Sequence, residues 1–137
     1  MSMVGLALLL ASLACAQERV LHFKSSLVLQ ANHAIDVTET ITILSAGINF
    51  KRGIYRTLPL NDANLSYEVV SCTRNGSKES YSIERNKNSF SVIIGNDLLE
   101  PGEHTYVIMY RVYPEANAFN PFQWSVTGSL KGIKCIC

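Results

Sequence analysis

From Arg19 onward apolar and polar side chains alternate with a period of two, and a helical period never holds for three turns. Side chains at i and i+2 share one face of a strand, so this pattern predicts strands with one face dry and one wet. It is clearest over Ala34–Leu44, where Ile35, Val37, Ile41 and Ile43 keep one phase and Thr38, Thr40 and Thr42 the other. Glu39 breaks the rule by falling in the apolar phase.

A first strand precedes it at Arg19–Gln30, ending in the turn Ala31-Asn32-His33, and Ile48–Leu60 follows, with Pro59 marking an edge or strand end because it lacks a ladder donor. Ser66–Thr73 and Lys78–Glu84 flank Asn75-Gly76, a pair that accepts positive φ and suits a two-residue hairpin. Asn86-Lys87-Asn88 turns the chain into Ser89–Ile94, and Pro101-Gly102 turns it into His104–Tyr113. In that last strand Tyr106, Ile108, Tyr110 and Val112 oppose Thr105, Val107, Met109 and Arg111, so both faces are partly apolar and a central place in a sheet is expected. Beyond the loop Pro114–Pro121, Gln123–Thr127 carries the single Trp124. Seven or eight short strands separated by turn signals predict an all-β fold, an antiparallel two-layer β-sandwich of immunoglobulin-like type.

The N-terminal stretch has a different character. Met1–Ala16 contains no charged side chain, and its apolar run Val4–Leu13 covers only about half of a hydrocarbon core of ~30 Å. Ala14-Cys15-Ala16 then places small residues where signal peptidase needs them, which predicts a signal peptide over 1–16 and an extracytoplasmic sandwich domain over 17–137. Acylation of Cys15 is disfavoured because Ser12 stands where a bulky aliphatic residue is expected. Twelve Lys and Arg against eleven Asp and Glu leave a formal charge of +1, so no basic field points to nucleic acid.

Loss of the signal peptide leaves Cys72, Cys135 and Cys137, an odd number in an oxidising compartment. One bridge can form, with Cys72 and Cys135 as a candidate pair. The doublet Cys135-Ile136-Cys137 has no second pair or clustered histidine to complete a zinc site, so no metal is expected.

Catalytic signatures are equally sparse. No nucleophile elbow, zinc-binding His-Glu-x-x-His or phosphate-cradling glycine loop is present. Asp36 and Glu39 fall on opposite strand faces and could not act on one bond. His104 and Tyr106 share a face and read as partly exposed strand decoration. Neither a catalytic residue nor a cofactor is expected.

Four segments in this order and spacing carry a family likeness: Asp36-Val37-Thr38-Glu39-Thr40-Ile41; Gly53 through Leu60 (GIYRTLPL); Pro101 through Ile108 (PGEHTYVI) with Tyr110-Arg111-Val112; and Trp124-Ser125-Val126-Thr127-Gly128. They resemble the exported N-terminal domain of the predicted membrane proteins called the domain of unknown function 2207 family. The resemblance spans roughly 18–128 and implies a β-sandwich outside the cytoplasmic membrane, with no established biochemical activity. It also implies a membrane tether in full-length relatives, supplied by later helices. Nine residues follow Gly128 here, and none could span a bilayer, so a truncated or frameshifted member, secreted without an anchor, is the expectation.

A carboxylate in the buried phase of a strand must be paired or sit at the sheet's end, and Arg52 and Arg56 are the natural partners of Glu39. A Glu39–Arg56 ion pair fixing two strands in register is the structural expectation. The competing functional one makes Lys51, Arg52, Tyr55 and Arg56 a recognition surface for a carboxylate or phosphate group. Phe119 and Phe122 add a second candidate contact point in a proline-flanked loop. The partner expected is an envelope protein or polymer, and the alternatives left open are a carbohydrate-processing domain and a non-functional fragment.

Overall fold

The computed structural model describes residues 18–48, 50–60, 65–114 and 133–136. The expected signal peptide over 1–16, Phe119, Phe122 and the expected strand Gln123–Thr127 lie outside the described residues. Nine strands follow one another: β1 (Arg19–Leu29), β2 (Ile35–Ser45), β3 (Gly53–Pro59), β4 (Leu65–Arg74), β5 (Ser77–Lys78), β6 (Tyr81–Arg85), β7 (Ser89–Ile94), β8 (Gly102–Pro114) and β9 (Ile133–Ile136). They form a five-stranded antiparallel sheet in the order β1-β2-β8-β4-β5 and a four-stranded antiparallel sheet in the order β6-β7-β3-β9. The two sheets face each other across one core, as a β-sandwich.

Strand β2 alternates between buried and half-buried along its whole length, and Glu39 is buried among the isoleucines. β8 lies between β2 and β4, the central place its doubly apolar faces call for. Its Tyr106, Ile108, Tyr110 and Val112 meet Ile54, Leu58, Val92 and Ile94 of the opposite sheet in a single cluster. Each such fully buried aliphatic side chain stabilises the fold by roughly 1.5–3 kcal/mol relative to exposure.

Asn75 and Gly76 both take positive φ, 51° and 82°, as a two-residue hairpin of this hand requires. The strand after that turn differs from expectation. Lys78–Glu84 is not one element: β5 pairs with β4 for two residue pairs, and the chain then crosses to the other layer, where β6 pairs with β7. The expected strand over Ile48–Leu60 starts only at Gly53, because Ala46, Ile48 and Phe50 turn their N–H groups toward the start of β1. There the Glu18 carboxylate accepts hydrogen bonds from the N–H groups of Ala46, Ile48 and Phe50 at 2.7, 2.8 and 3.2 Å. Pro59 ends β3, with its carbonyl accepting from the Tyr67 hydroxyl of the opposite sheet at 2.7 Å. β9 arises from a stretch in which Lys134 interrupts the apolar pattern, and it pairs with β3 on the side away from β7.

Gly53 and Gly95 have φ of 147° and 103°, in a region open chiefly to glycine. A Cβ on Gly53 would collide with the Ile94 carbonyl, and one on Gly95 with the Arg52 carbonyl. The two loops at this end of the sandwich therefore abut through bare backbone.

Candidate functional site

Arg56 points from β3 into the core and is 2% exposed; Glu39, on β2 of the other sheet, is wholly buried. Their contact is bidentate: Arg56 Nε donates to Glu39 Oε2 at 2.6 Å and Nη2 to Oε1 at 2.8 Å. Tyr110 on β8 donates its hydroxyl to the same Oε1 at 2.7 Å. The guanidinium also stands over the ring of Phe23 on β1, 5.3 Å from its centroid. One arginine thus joins β3 of one layer to three neighbouring strands of the other. The planar fork of arginine matches a carboxylate in a way a lysine ammonium cannot. Burial alone would lower the Arg56 pKa, but the hydrogen bonds and charge of Glu39 outweigh it and hold the guanidinium above its ordinary value. Burial first, and then the Glu39 charge, drive the Tyr110 phenol well above its usual range.

This placement corrects the idea of a single recognition surface. Strand alternation sends Arg56 inward and its neighbour Tyr55 to the outer face of the four-stranded sheet, so the two cannot meet one ligand. Arg52 and Lys51 are exposed in the loop before β3, where Arg52 Nη1 donates to the Asn96 carbonyl at 3.2 Å. Cys72 is a free thiol buried between the sheets on β4, and Cys135 lies on β9 in register with Ile54. Burial pushes the Cys72 thiol up to about 12, which keeps it an inert thiol rather than a nucleophile.

His104 is 6% exposed, not surface decoration. Its Nδ1 faces two donors, Asn75 Nδ2 at 3.2 Å and Arg74 Nη1 at 3.3 Å, and so accepts; Nε2 donates to the Glu100 carbonyl at 2.7 Å. The ring ties the hairpin turn to the loop before β8. Asp36 faces outward, away from Glu39, and accepts from Arg111 Nε at 2.6 Å and from Gln30 Nε2 at 2.7 Å. Those bonds, with the Arg111 contact foremost, hold its carboxyl below the usual carboxylate range. The shallow cleft of about 320 Å³ beside it is lined by groups that already pair with one another.

A second cleft, of about 310 Å³, lies on the outer face of the four-stranded sheet. It is lined by Tyr55 and Thr57 of β3, Glu84 of β6, Asn86 of the following turn, Ser89 and Ser91 of β7 and Lys134 of β9. Register explains the gathering: Thr57 lies opposite Ser91, and Ser91 opposite Glu84, while Tyr55 lies opposite Lys134. The Thr57 and Ser91 hydroxyls are 3.0 Å apart. Of this group only Tyr55 is singled out by the sequence. The available signal was the polar phase of β7, Ser89 and Ser91 against Phe90 and Val92, but nothing local announces which strands lie beside it. The described residues hold no cluster of His, Cys, Asp and Glu that could bind a metal ion.

Among the described residues no helix is long and apolar enough to cross a membrane. No solved structure matches the chain. It is 28% identical over 128 residues to the uncharacterized protein YciQ of Escherichia coli (strain K12), an alignment covering 82% of this chain and 20% of that relative. The chain therefore corresponds to about a fifth of the length of the curated protein it matches. A family model described as the N-terminal domain of a predicted membrane protein, DUF2207, matches residues 19–134, a span holding both the buried ion pair and the outer cleft. The chain belongs to the DUF2207 family of predicted membrane proteins, whose biochemical function is unknown.

Proposed function

We propose that this domain is a non-catalytic, extracytoplasmic module that recognises a ligand or partner at the cell envelope through the outer face of its four-stranded sheet. The observation that supports it is how polar groups are divided between the inside and the outside. Three ionisable groups inside or beside the core already have partners: Glu39 is bound by Arg56 and Tyr110, Asp36 by Arg111, and both nitrogens of His104 are engaged. The outer cleft offers the Glu84 carboxylate and the Lys134 ammonium beside the Tyr55 ring, over a floor of paired polar groups, Thr57 with Ser91 and Ser89 with Asn86, chemistry suited to orienting a polar molecule. Export rests on the apolar leader and its Ala-x-Ala ending, and membership in a family of membrane proteins agrees with it.

The test is a pull-down on peptidoglycan sacculi with the full chain and with Tyr55→Ala and Lys134→Glu variants. Saturable binding weakened about tenfold by either substitution supports the reading, since tenfold corresponds to ~1.4 kcal/mol of lost contact. Binding abolished by Phe122→Ala but indifferent to the cleft variants moves recognition to the proline-flanked loop and to a carbohydrate-handling role. Release of soluble sugar fragments from the sacculi would make the domain an enzyme.

A further inference from the structure

The described residues expose few large apolar side chains in loops, and two of them lie at one end of the sandwich. Ile48, 57% exposed, sits in the loop between β2 and β3, and Leu98, 69% exposed, in the loop between β7 and β8. Neither loop is slack. Glu18 clasps the first through three backbone N–H groups, and the second is stitched to it by Leu99 N–H donating to the Lys51 carbonyl at 2.7 Å and by Arg52 Nη1 donating to the Asn96 carbonyl. Phe50 and Leu99 anchor the two loops in the core, and Gly53 and Gly95 let their backbones touch. Several specific contacts thus hold two aliphatic tips exposed on joined loops at one end of the sandwich.

Charge narrows what covers them. Lys51 and Arg52 are exposed on the same loop as Ile48, while Asp97 and Glu100 are exposed on the Leu98 loop, with Asp97 within electrostatic reach of Arg74. Two aliphatic tips with a pair of cations beside Ile48 match a bilayer surface, with acyl chains for the tips and phosphates for Lys51 and Arg52. The first and last strands converge here as well: Arg19 opens β1 opposite Leu44, and the Ile136 carbonyl accepts from the N–H groups of Lys51 and Arg52 at 3.0 and 3.1 Å. In its family this domain is the N-terminal domain of a predicted membrane protein, which makes a bilayer the surface at hand. We infer that this end of the sandwich, through Ile48 and Leu98 with Lys51 and Arg52, rests on a phospholipid surface. The polar cleft, which runs toward the turn at residues 86–88, then faces away from it.

The experiment places a tryptophan reporter at Leu98→Trp or at Asn86→Trp in a Trp124→Phe background of the full chain. Each is mixed with phosphatidylcholine and phosphatidylglycerol vesicles whose acyl chains carry bromine. Quenching and a blue shift at position 98, with neither at position 86, are expected. An Ile48→Ser/Leu98→Ser pair in the Asn86→Trp chain should reduce vesicle affinity about tenfold beyond any background from the apolar N-terminal run, since two exposed aliphatic contacts are removed. Equal quenching at both positions, greater quenching at 86, or none at either overturns the inference, as does unchanged affinity of the serine pair. A thermal melt of each variant verifies the fold, which substitutions at exposed loop tips should leave intact.

Discussion

The two faces of β3 carry polar groups to opposite ends. On the inner face Arg56 is sealed from water and locked to Glu39, which Tyr110 also binds; on the outer face Tyr55 and Thr57 open onto a cleft whose charged groups meet solvent. Adjacent residues of one strand are therefore divided between holding two layers in register and offering a surface for recognition. A buried charge without its partner is costly, whereas an exposed polar residue can be exchanged almost freely, so polarity alone does not mark a functional residue. Solvent access and the completeness of its bonds do.

The largest effects should come from unpairing the interior. Arg56→Met alone leaves Glu39 buried without its cation, and Glu39→Leu alone strands the guanidinium; each should cost about 3–5 kcal/mol in denaturant unfolding. A loss under about 1 kcal/mol would mean that the pair is more solvated than its burial shows.

A smaller contrast lies along β8. Tyr110 and Tyr106 share one buried face four residues apart, but only Tyr110 has a hydrogen-bond partner for its hydroxyl; that of Tyr106 has none among the described residues. Tyr110→Phe should destabilise by about 1–3 kcal/mol, while Tyr106→Phe should fall within about 0.5 kcal/mol of the parent or gain slightly, because no bond is lost. Equal losses would show that water satisfies the Tyr106 hydroxyl. The same residue supplies a pH signature. Burial raises the Tyr106 pKa from 10.0 to about 12, so in alkali the unfolded chain releases this proton before the folded one. That contribution to stability is complete below pH 10 and is lost as pH climbs toward 12, and Tyr106→Phe should flatten part of the decline in urea midpoint.

The smallest effects belong outside. Lys134→Ala and Glu84→Gln should shift unfolding by no more than about 0.5 kcal/mol while altering capture of envelope polymer. Cleft substitutions that unfold the domain would give the outer face a structural role and erase the contrast.

Much of the interior is legible in the sequence. Period-two alternation set out β2, β7 and β8, and the phase of Glu39 marked it as a buried charge, because strand geometry converts spacing into facing without knowledge of neighbours. The Asn75-Gly76 hairpin was legible for a similar reason, since its positive φ values are a local demand. What stayed hidden depended on distant pairing. Ser77-Lys78-Glu79-Ser80 holds no apolar residue, so it carries no facing signal to show that the chain leaves one sheet for the other there. The cleft draws its residues from four strands and a turn, and no one strand displays it. His104 read as surface decoration because its three partners, Arg74, Asn75 and Glu100, come together only when the hairpin folds back on β8.

The most direct test of a sealed, structural ion pair is the double substitution Glu39→Leu/Arg56→Met, followed by urea denaturation beside both single variants. If the pair serves the fold alone, the double variant should recover most of the stability lost by either single one, because two apolar side chains leave no buried charge unmatched. It should also bind sacculi as the parent does. A double variant whose loss equals the sum of the singles, or one that folds normally but no longer binds, would contradict the division between a structural interior and a recognising exterior.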